Sequence, residues 1–143
     1  MPPAPPDSGV PTRPDRSACS VSAVASAGTE ANCLFCRIVL GEVPSQRVAT
    51  TEATYAFRDI NPAAPVHVLV VPRAHIADAA AIEPEHAGVV AELFTTARHV
   101  AVTEGIGASG YRLVFNVGDD AQNSVGHLHL HVLGGRRLEW PPG

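Results

Sequence analysis

The clearest pattern along the chain lies near its C-terminal end, where histidine and aliphatic residues alternate. Histidine stands at positions 127, 129 and 131, and leucine or valine stands at positions 128, 130 and 132. An extended strand places alternate side chains on opposite faces. The pattern therefore predicts a short strand with three imidazoles on one face and an apolar face that packs on a core. Gly126 and the pair Gly134-Gly135 bracket this strand.

The spacing of apolar residues predicts two helices and four further strands. A short helix is expected between Asn32 and Gly41, and a longer one is expected from Glu85 to Glu104. Strands are predicted over residues 46–50, 53–59, 66–72 and 111–117. The third of these is almost continuously apolar, which indicates burial on both faces. Short links between the elements favour an antiparallel sheet with the helices on one side, which is the α+β class.

The first part of the chain differs in composition from the rest. Residues 1–31 are dominated by proline, serine, alanine and other small residues, and such a segment buries too little apolar surface to offset its ordering entropy. We therefore predict two parts. Residues 1–31 form a disordered extension, or one that results from a start codon assigned too early. Residues 32–143 form a single domain with enough chain for a core.

Charge and cysteine content exclude several classes of function. All ten basic residues are arginine, and the absence of lysine excludes Schiff-base chemistry and a P-loop. The formal net charge is -4 and no basic cluster occurs, so nucleic-acid binding is not expected. No apolar run is long enough to span a membrane. Three cysteines, two of them spaced as Cys33 and Cys36, argue against a disulfide framework and for a reducing compartment, the cytoplasm.

Three imidazoles on one strand face are consistent with two kinds of chemistry. The first is a metal site of the His-x-His type. The second is an organic site in which one neutral imidazole attacks an electrophile while its neighbours hold an anion. His67, which interrupts the apolar run 66–72, would by itself be interpreted as a structural residue.

Several motifs together resemble the histidine-triad nucleotide-binding family, in its nucleoside phosphoramidase (Hint) branch. The first is His-Leu-His-Leu-His-Val-Leu-Gly-Gly-Arg at residues 127–136, and the second is the ending Trp-Pro-Pro-Gly at residues 140–143. Two further matches are Asp-Ile-Asn-Pro-Ala-Ala-Pro-Val-His at residues 59–67 and Gly-Tyr-Arg-Leu-Val-Phe-Asn at residues 110–116. The resemblance covers the chain from about residue 33 to its end.

The resemblance implies a fold, an assembly and an activity. The fold is a sheet of five antiparallel strands with two helices. The assembly is a homodimer in which the sheet continues between subunits and each C-terminal tail approaches the partner's site. The activity is hydrolysis of nucleoside 5′-phosphoramidates, of adenosine or another purine, through a nucleotidyl-histidine intermediate. Its ligands would be purine nucleotides such as AMP and GMP, and no metal or other cofactor would be required for catalysis.

The resemblance also implies roles for individual residues. His129 would be the nucleophile, His131 and His67 would flank the phosphate, and Ser124 would complete the catalytic set. The residues expected to contact the nucleotide, besides His129 and His131, are Phe57, Asp59, Ile60, Leu69, Asn116, Gln122, Asn123 and Ser124.

The chain departs from the usual pattern of the resembled family at two points. Ala121 and Gln122 stand where the family often has a pair of glycines, and only glycine lets the backbone approach a phosphate without an intervening side chain. Gly126 stands where the branch usually has an aromatic residue.

Cys33 and Cys36 are one helical turn apart, so both sulfurs can point toward the same place. Some members of the resembled family with a cysteine pair at this point hold a zinc ion, and the implied ligands here are Cys33, Cys36, His75 and His127. Such an ion would be structural, because four protein ligands leave no open coordination position. The alternative interpretation is a pair of small buried thiols.

Three other functions are compatible with the sequence. The first is a dinucleoside polyphosphate hydrolase of the same family, which the Trp-Pro-Pro-Gly ending disfavours. The second is a nucleotide-binding regulatory protein with vestigial turnover, which the presence of both His129 and Ser124 disfavours. The third is a zinc hydrolase with the histidines as ligands, which would lose activity on chelation and form no covalent nucleotide.

Overall fold

The computed structural model describes residues 29–143. The extension predicted for residues 1–31 therefore lies outside the described residues, apart from its last three positions. The helices and strands, in chain order, are α1 (Leu34–Val39), β1 (Arg47–Thr50), β2 (Thr54–Arg58), β3 (Val66–Pro72), α2 (Ala87–Thr103), β4 (Tyr111–Val114) and β5 (Leu130–Gly134).

The five strands form one sheet in the order β1-β2-β3-β5-β4, and every neighbouring pair is antiparallel. β5 is the last strand in the chain, yet it lies between β3 and β4 and has a hydrogen-bonded neighbour on each side. The ladder between β3 and β5 pairs Val66 with Gly134 and Leu69 with His131. This arrangement confirms the predicted α+β fold of five antiparallel strands and two helices.

The two helices lie on opposite faces of the sheet, so the expectation that both cover one side is wrong. On the α2 face, strand residues form a buried cluster with the helix; they include Ala56, Val68, Val70, Leu130 and Val132. On the other face α1 packs on a smaller cluster that includes Phe35, Ile38, Phe57, Leu69 and Val71. All seven residues of β3 are buried, as its apolar run predicted, because this strand supplies side chains to both clusters.

Both helices are shorter than predicted. Cys33, and not Asn32, caps α1: its sulfur accepts a hydrogen bond from the Cys36 N–H at 3.4 Å. A 3-10 turn, Pro84–His86, precedes α2, so the α-helix itself begins at Ala87. Within the described part of the chain, no helix is long and apolar enough to cross a lipid bilayer.

The strand that carries the histidine run is also shorter than predicted, because its ladder begins at Leu130. His127 and His129 lie in the segment that precedes the ladder. There the Leu128 N–H donates to the carbonyl of Ile76 (2.6 Å), outside the sheet, since β3 has already ended. The alternation of the pattern still holds, because the aliphatic residues of the run are buried with α2 and the imidazoles lie on the side of α1.

Candidate active site

Three imidazoles come together on the sheet face that α1 covers. His67 lies in β3 and His131 in β5, and His67 Nε2 is 2.9 Å from His131 Nδ1. The ring centroids of His129 and His131 are 5.0 Å apart. The ring of Phe35, from α1, meets the His129 ring nearly edge-on, with 5.2 Å between centroids. The pairing of β3 with β5 thus turns a sequence separation of 64 residues into direct contact.

The hydrogen-bond partners of His67 and His131 assign the position of each ring proton. The Ala63 N–H donates to His67 Nδ1 (2.9 Å), so this nitrogen carries a lone pair and the proton is on Nε2. The His67 Nε2–H then donates to His131 Nδ1, which leaves the His131 proton on Nε2. That nitrogen is buried and has no hydrogen-bond partner within residues 29–143. The bonds therefore leave a free, buried donor in the histidine cluster.

In His129 the proton and the lone pair lie on the opposite nitrogens from those in His67 and His131. Its Nδ1 lies 2.7 Å from the carbonyl oxygen of His127, and because a carbonyl oxygen only accepts, Nδ1 carries the proton. In the neutral ring, Nε2 then holds the lone pair. A neutral imidazole with a free lone pair is a good nucleophile near pH 7. The cluster thus contains one nucleophilic lone pair and one free N–H donor, which together suit attack on a centre that carries anionic oxygens.

Burial favours the neutral form of two of these rings. Burial, followed by the proximity of His129 and His67, lowers the pKa of His131 to about 4, with Asp59 acting in the opposite direction. Burial also lowers the pKa of His67, again against Asp59. A neutral His67 agrees with its bond from Ala63, since a protonated ring has no lone pair to accept it. Because the unfolded chain binds these protons first, these two histidines make the fold less stable as pH falls below about 6.5.

Four residues expected to contact a nucleotide lie in β2 and β3 or in the loop that joins them. The Asp59 carboxylate is 3.4 Å from His67 Nε2. Phe57 and Leu69 are buried on the α1 face, where they present little surface. Ile60, by contrast, is 92% exposed. Asp59 is therefore in direct contact with the histidine cluster, whereas Ile60 is open to solvent.

The other expected contact residues lie between β4 and β5. Asn116 and Asn123 are half-buried, and Gln122 and Ser124 are exposed. No hydrogen bond within the described residues joins these four side chains to the histidines. Asn123 Oδ1 is a second buried polar atom without a partner in the described chain. The structure therefore links the aspartate to the histidines directly, but not these four residues.

Gln122 has a backbone conformation that glycine adopts more readily. Its φ is 57°, and among the described residues other than glycine no further residue has a positive φ. A residue with a side chain costs roughly 1–2 kcal/mol in this region. Gln122 thus adopts a backbone conformation that favours glycine, at a position where the resembled family often has glycine. The loop is therefore strained at this residue.

A second cluster lies beside the first, between α1 and the segments that follow β3 and precede β5. Its ligand atoms all lie within 4.8 Å of one another and belong to Cys33, Cys36, His75 and His127. His127 Nδ1 is 3.3 Å from Cys33 Sγ and 3.5 Å from Cys36 Sγ, and His75 Nδ1 is 3.4 Å from Cys36 Sγ. A tetrahedral zinc ion, with bonds of about 2.3 Å to sulfur and about 2.0 Å to nitrogen, holds such atoms about 3.5 Å apart. The four donors therefore fit zinc.

The outer nitrogens of this cluster also have partners. The His127 Nε2–H donates to the carbonyl of Pro72 (2.9 Å), which leaves the Nδ1 lone pair facing the sulfurs. His75 Nε2 is 3.5 Å from the Glu30 carboxylate. Outer partners of this kind orient histidines that bind metals. Burial raises the pKa of the Cys36 thiol, so a bound cation would be needed to favour its thiolate.

Sequence reasoning missed three residues that contact the two clusters. Glu30 falls within the predicted extension, yet it contacts His75. Phe35 contacts the rings of both His127 and His129. Its position between Cys33 and Cys36 was the sequence feature that could have indicated this contact. Ala63 acts through its backbone N–H, which leaves no trace in the sequence.

A five-stranded antiparallel sheet with clustered histidines on one face is the architecture of a histidine-triad protein. A family model described as HIT domain matches residues 40–138. The chain belongs to the HIT family, as its motifs predicted.

Relatives resemble the chain over most of its length. The 14 kDa zinc-binding protein of Zea mays is 42% identical over 112 residues, which are 77% of this chain and 87% of that protein. Adenylylsulfatase HINT1 of Arabidopsis thaliana is 37% identical over 124 residues, which are 85% of this chain and 84% of that protein. The crystal structure of a HIT family hydrolase from Legionella pneumophila Philadelphia 1 matches with a TM-score of 0.77 and 45% identity, over 78% of this chain and 100% of that one.

Replacing Gln122 with glycine should stabilise the folded protein. Glycine adopts the observed φ of 57° without strain. This removes a cost of roughly 1–2 kcal/mol, and the greater entropy of the unfolded chain cancels about 0.4–1 kcal/mol of it. We expect a net gain of about 0.5–1 kcal/mol in the free energy of unfolding, measured by urea denaturation.

The matched control for this substitution is Ala121→Gly, because the neighbouring alanine has no positive φ. This variant should lose about 0.4–1 kcal/mol. If Gln122→Gly were no more stable than the wild type, the loop would not be strained at this residue.

Proposed function

We propose that the protein hydrolyses nucleoside 5′-phosphoramidates, of adenosine or another purine, through a nucleotide bound covalently to His129. The observation that carries the proposal is the bond from His129 Nδ1–H to the His127 carbonyl oxygen (2.7 Å), which leaves Nε2 with a free lone pair. Two relatives whose names describe hydrolytic enzymes, the adenylylsulfatase and the HIT family hydrolase, support hydrolysis as the reaction type.

The proposed reaction has two displacement steps at phosphorus. In the first step His129 Nε2 attacks, a P–Nε2 bond forms, and the P–N bond breaks as the leaving nitrogen takes up a proton to depart as an amine. In the second step water attacks the same phosphorus and gives up a proton, the P–Nε2 bond breaks, and the nucleoside monophosphate leaves His129. Splitting the hydrolysis in this way replaces one difficult displacement with two easier ones.

Negative charge shifts onto the phosphate and leaving-group atoms during both steps, and fixed donors stabilise it. The His131 Nε2–H is suited to this role, because it is buried and has no partner in the described chain. His67 keeps it in that orientation. We assign Ser124 and Asn116 to the phosphate or the leaving group.

The nucleoside would occupy the side of the cluster near the loop between β2 and β3. Asp59 would accept hydrogen bonds from the ribose hydroxyls, which its contact with His67 supports. Residues assigned to the rest of the nucleotide are Phe57, Ile60, Leu69, Gln122 and Asn123. The high exposure of Ile60 supports a contact that forms only when the base binds.

The charges around the histidines favour an amine over a polyanion as leaving group. Asp119 and Asp120 are exposed in the loop that leads to the histidine run, and the chain contains no lysine. The Arg136 guanidinium donates to the carbonyls of Ala63 and Arg137, each at 3.1 Å. A polyanion needs a cationic groove. We therefore rank dinucleoside polyphosphates below phosphoramidates as substrates.

A nucleotide-binding regulatory protein with vestigial turnover is the alternative function from another class.

We further propose a structural zinc ion held by Cys33, Cys36, His75 and His127. The distances between the donors and the orientation of His127 support it, as does the relative named as a zinc-binding protein. The ion would tie α1 to two distant segments and leave no coordination position for substrate. Thiolate ligands persist in a reducing compartment, which agrees with the proposed cytoplasmic location.

A homodimer that continues the sheet through β4 completes the proposal. β4 is an edge strand, so its outer backbone groups have no strand neighbour within residues 29–143. Beside this edge Phe94, 46% exposed, packs against Phe115. Trp140, in the C-terminal tail, is 81% exposed, as expected of an aromatic residue that a partner covers.

Mass spectrometry after mixing with an adenosine phosphoramidate tests the central proposal. We expect an added adenylate on His129 in rapidly quenched samples. His129→Ala should lose the adduct and at least about a thousandfold in kcat, because no other imidazole of the described cluster has a free lone pair. It should keep the fold and AMP binding. His99→Ala, an exposed position on α2, is the matched control. Turnover without an adduct, or substantial turnover by His129→Ala, would contradict the proposal.

Comparison of leaving groups tests the substrate class. We expect kcat/KM for an adenosine phosphoramidate with an alkyl or lysyl amine to exceed that for diadenosine polyphosphates by at least about a hundredfold, or roughly 2.7 kcal/mol. Adenylyl sulfate belongs in the same series, because one relative is named as an adenylylsulfatase. All substrates are measured at the same salt concentration. Equal or reversed values would assign the protein to the polyphosphate branch.

Elemental analysis of protein purified without added metal tests the zinc proposal. We expect close to one zinc per chain, and loss of that zinc in Cys33→Ser and Cys36→Ser. These variants should also melt at lower temperature, because zinc binding contributes to folding. Cys19→Ser serves as the control, since Cys19 is not among the proposed ligands. Wild-type protein without near-stoichiometric zinc would favour two plain thiols.

A further inference from the structure

Arg136 lies just after β5, where the chain turns back onto the loop between β2 and β3. Gly135 makes this turn with φ 88°, and a Cβ added there would lie 2.9 Å from Pro65 Cβ. The backbone therefore passes too close to Pro65 for any side chain at residue 135. Beyond the turn, Arg136 Nη2 donates to the Ala63 carbonyl and Nη1 to the Arg137 carbonyl, each at 3.1 Å.

Arg136 thus binds Ala63, and the N–H of Ala63 determines which nitrogen of His67 carries the proton. The Ala63 N–H donates to His67 Nδ1 at 2.9 Å, and the Ala63 carbonyl accepts from Arg136. The base of the same loop is closed by the Asp59 N–H, which donates to the His67 carbonyl at 3.0 Å. Ala63 itself is exposed, so packing contributes little to its position. The bond from Arg136 therefore restrains Ala63 from the solvent side.

The Ala63 N–H fixes which nitrogen of His67 carries the proton, together with the Asp59 carboxylate, which lies 3.4 Å from His67 Nε2 and also favours a proton there. Without the bond from Ala63, His67 can carry its proton on Nδ1 and accept at Nε2 from His131 Nδ1–H. His131 Nε2 would then present a lone pair where it now presents a donor. A lone pair repels an anionic oxygen, so both phosphate binding and stabilisation of the transition state would weaken.

We propose that Arg136 is a positioning residue, which holds Ala63 so that His67 and His131 keep the tautomers that present the His131 Nε2–H to a phosphate. The identity of that anion rests on the proposed function. Arg136 is exposed, and its bonds within the described chain go to backbone carbonyls. Its effect therefore reaches the site through Ala63 and not through contact with the substrate.

Three variants separate this role from a general effect of charge. Arg136→Met keeps a long stem and loses every donor. Arg136→Lys keeps the charge and one donor group. Arg137→Met is the matched control: it removes one positive charge at the neighbouring position and retains the bond from Arg136 to Ala63.

The primary measurement is the 15N chemical shift of the ring nitrogens, which distinguishes protonated from unprotonated positions. In Arg136→Met we expect the shifts of His67 and His131 to move toward a mixture of the two tautomers. In Arg137→Met the shifts should match those of the wild type. In Arg136→Lys they should lie closer to the wild-type values than to those of Arg136→Met. AMP binding, measured by calorimetry, should weaken in Arg136→Met alone.

Turnover supplies the second measurement. With an adenosine phosphoramidate, Arg136→Met should lower kcat/KM about fivefold, or roughly 1 kcal/mol, while Arg137→Met should not change it. The melting temperature should change little, since the lost bond is at the surface. If Arg136→Met does not fold, Arg136→Ala, which also loses every donor, is compared with Arg137→Ala in its place.

Wild-type ring shifts in Arg136→Met would overturn the proposal, and so would equal losses in Arg136→Met and Arg137→Met. A fall in turnover with unchanged ring shifts would also overturn it, since Arg136 would then act on the substrate directly. Ring shifts and AMP binding need no turnover. A wild-type protein that fails to cleave phosphoramidates would therefore refute the proposed function and still leave the role of Arg136 decided by these two measurements.

Discussion

The burial of Leu128, Leu130 and Val132 against α2 sets the direction in which the neighbouring histidines point. Each of these three side chains is at most 3% exposed. A slip of one residue would turn them toward α1 and bring imidazoles into the apolar cluster, where an unpaired polar group costs roughly 2–7 kcal/mol. It would also break two ladders at once, because β5 pairs with both β3 and β4. The interaction that stabilises the middle of the sheet is thus also the one that holds the polar cluster in place.

His127 belongs to both clusters. Its ring faces the two cysteines, and its carbonyl oxygen accepts the bond that places the His129 proton on Nδ1. Phe35, from the short helix α1, meets the rings of both histidines. A displacement of α1 would therefore disturb the cysteine cluster and the orientation of the His129 ring together. This explains why a helix of six residues, which has little stability of its own, matters to the histidine site.

Backbone groups assign the ring protons of His127, His129 and His67, and His67 in turn assigns that of His131. The carbonyls of Pro72 and His127 accept from His127 Nε2 and His129 Nδ1, and the Ala63 N–H donates to His67. Backbone donors and acceptors are present whatever the side chain, and their positions follow from the path of the chain. The difference in polarity between His129 and His131 is consequently a property of the fold and not of the three identical side chains.

Much of the fold and of the candidate site could be predicted from the sequence. The alternation at residues 127–132, the buried strand 66–72 and the cysteine spacing each depend on local covalent geometry, which repeats every two residues in a strand and about every four in a helix. The resemblance then named the histidines, the aspartate and the cysteines, and the structure brings these side chains into two adjacent clusters.

The tertiary structure alone decided the remaining features. The order β3-β5-β4 and the placement of α1 and α2 on opposite faces determine which histidines touch. The contacts of Arg136 with Ala63 and of His131 with His67 join residues 73 and 64 positions apart. Local patterns hold no information about such separations. The sequence by itself determined which side chains face away from the core, and the order of the strands decided which of them meet, because contact across a sheet depends on the path of the whole chain.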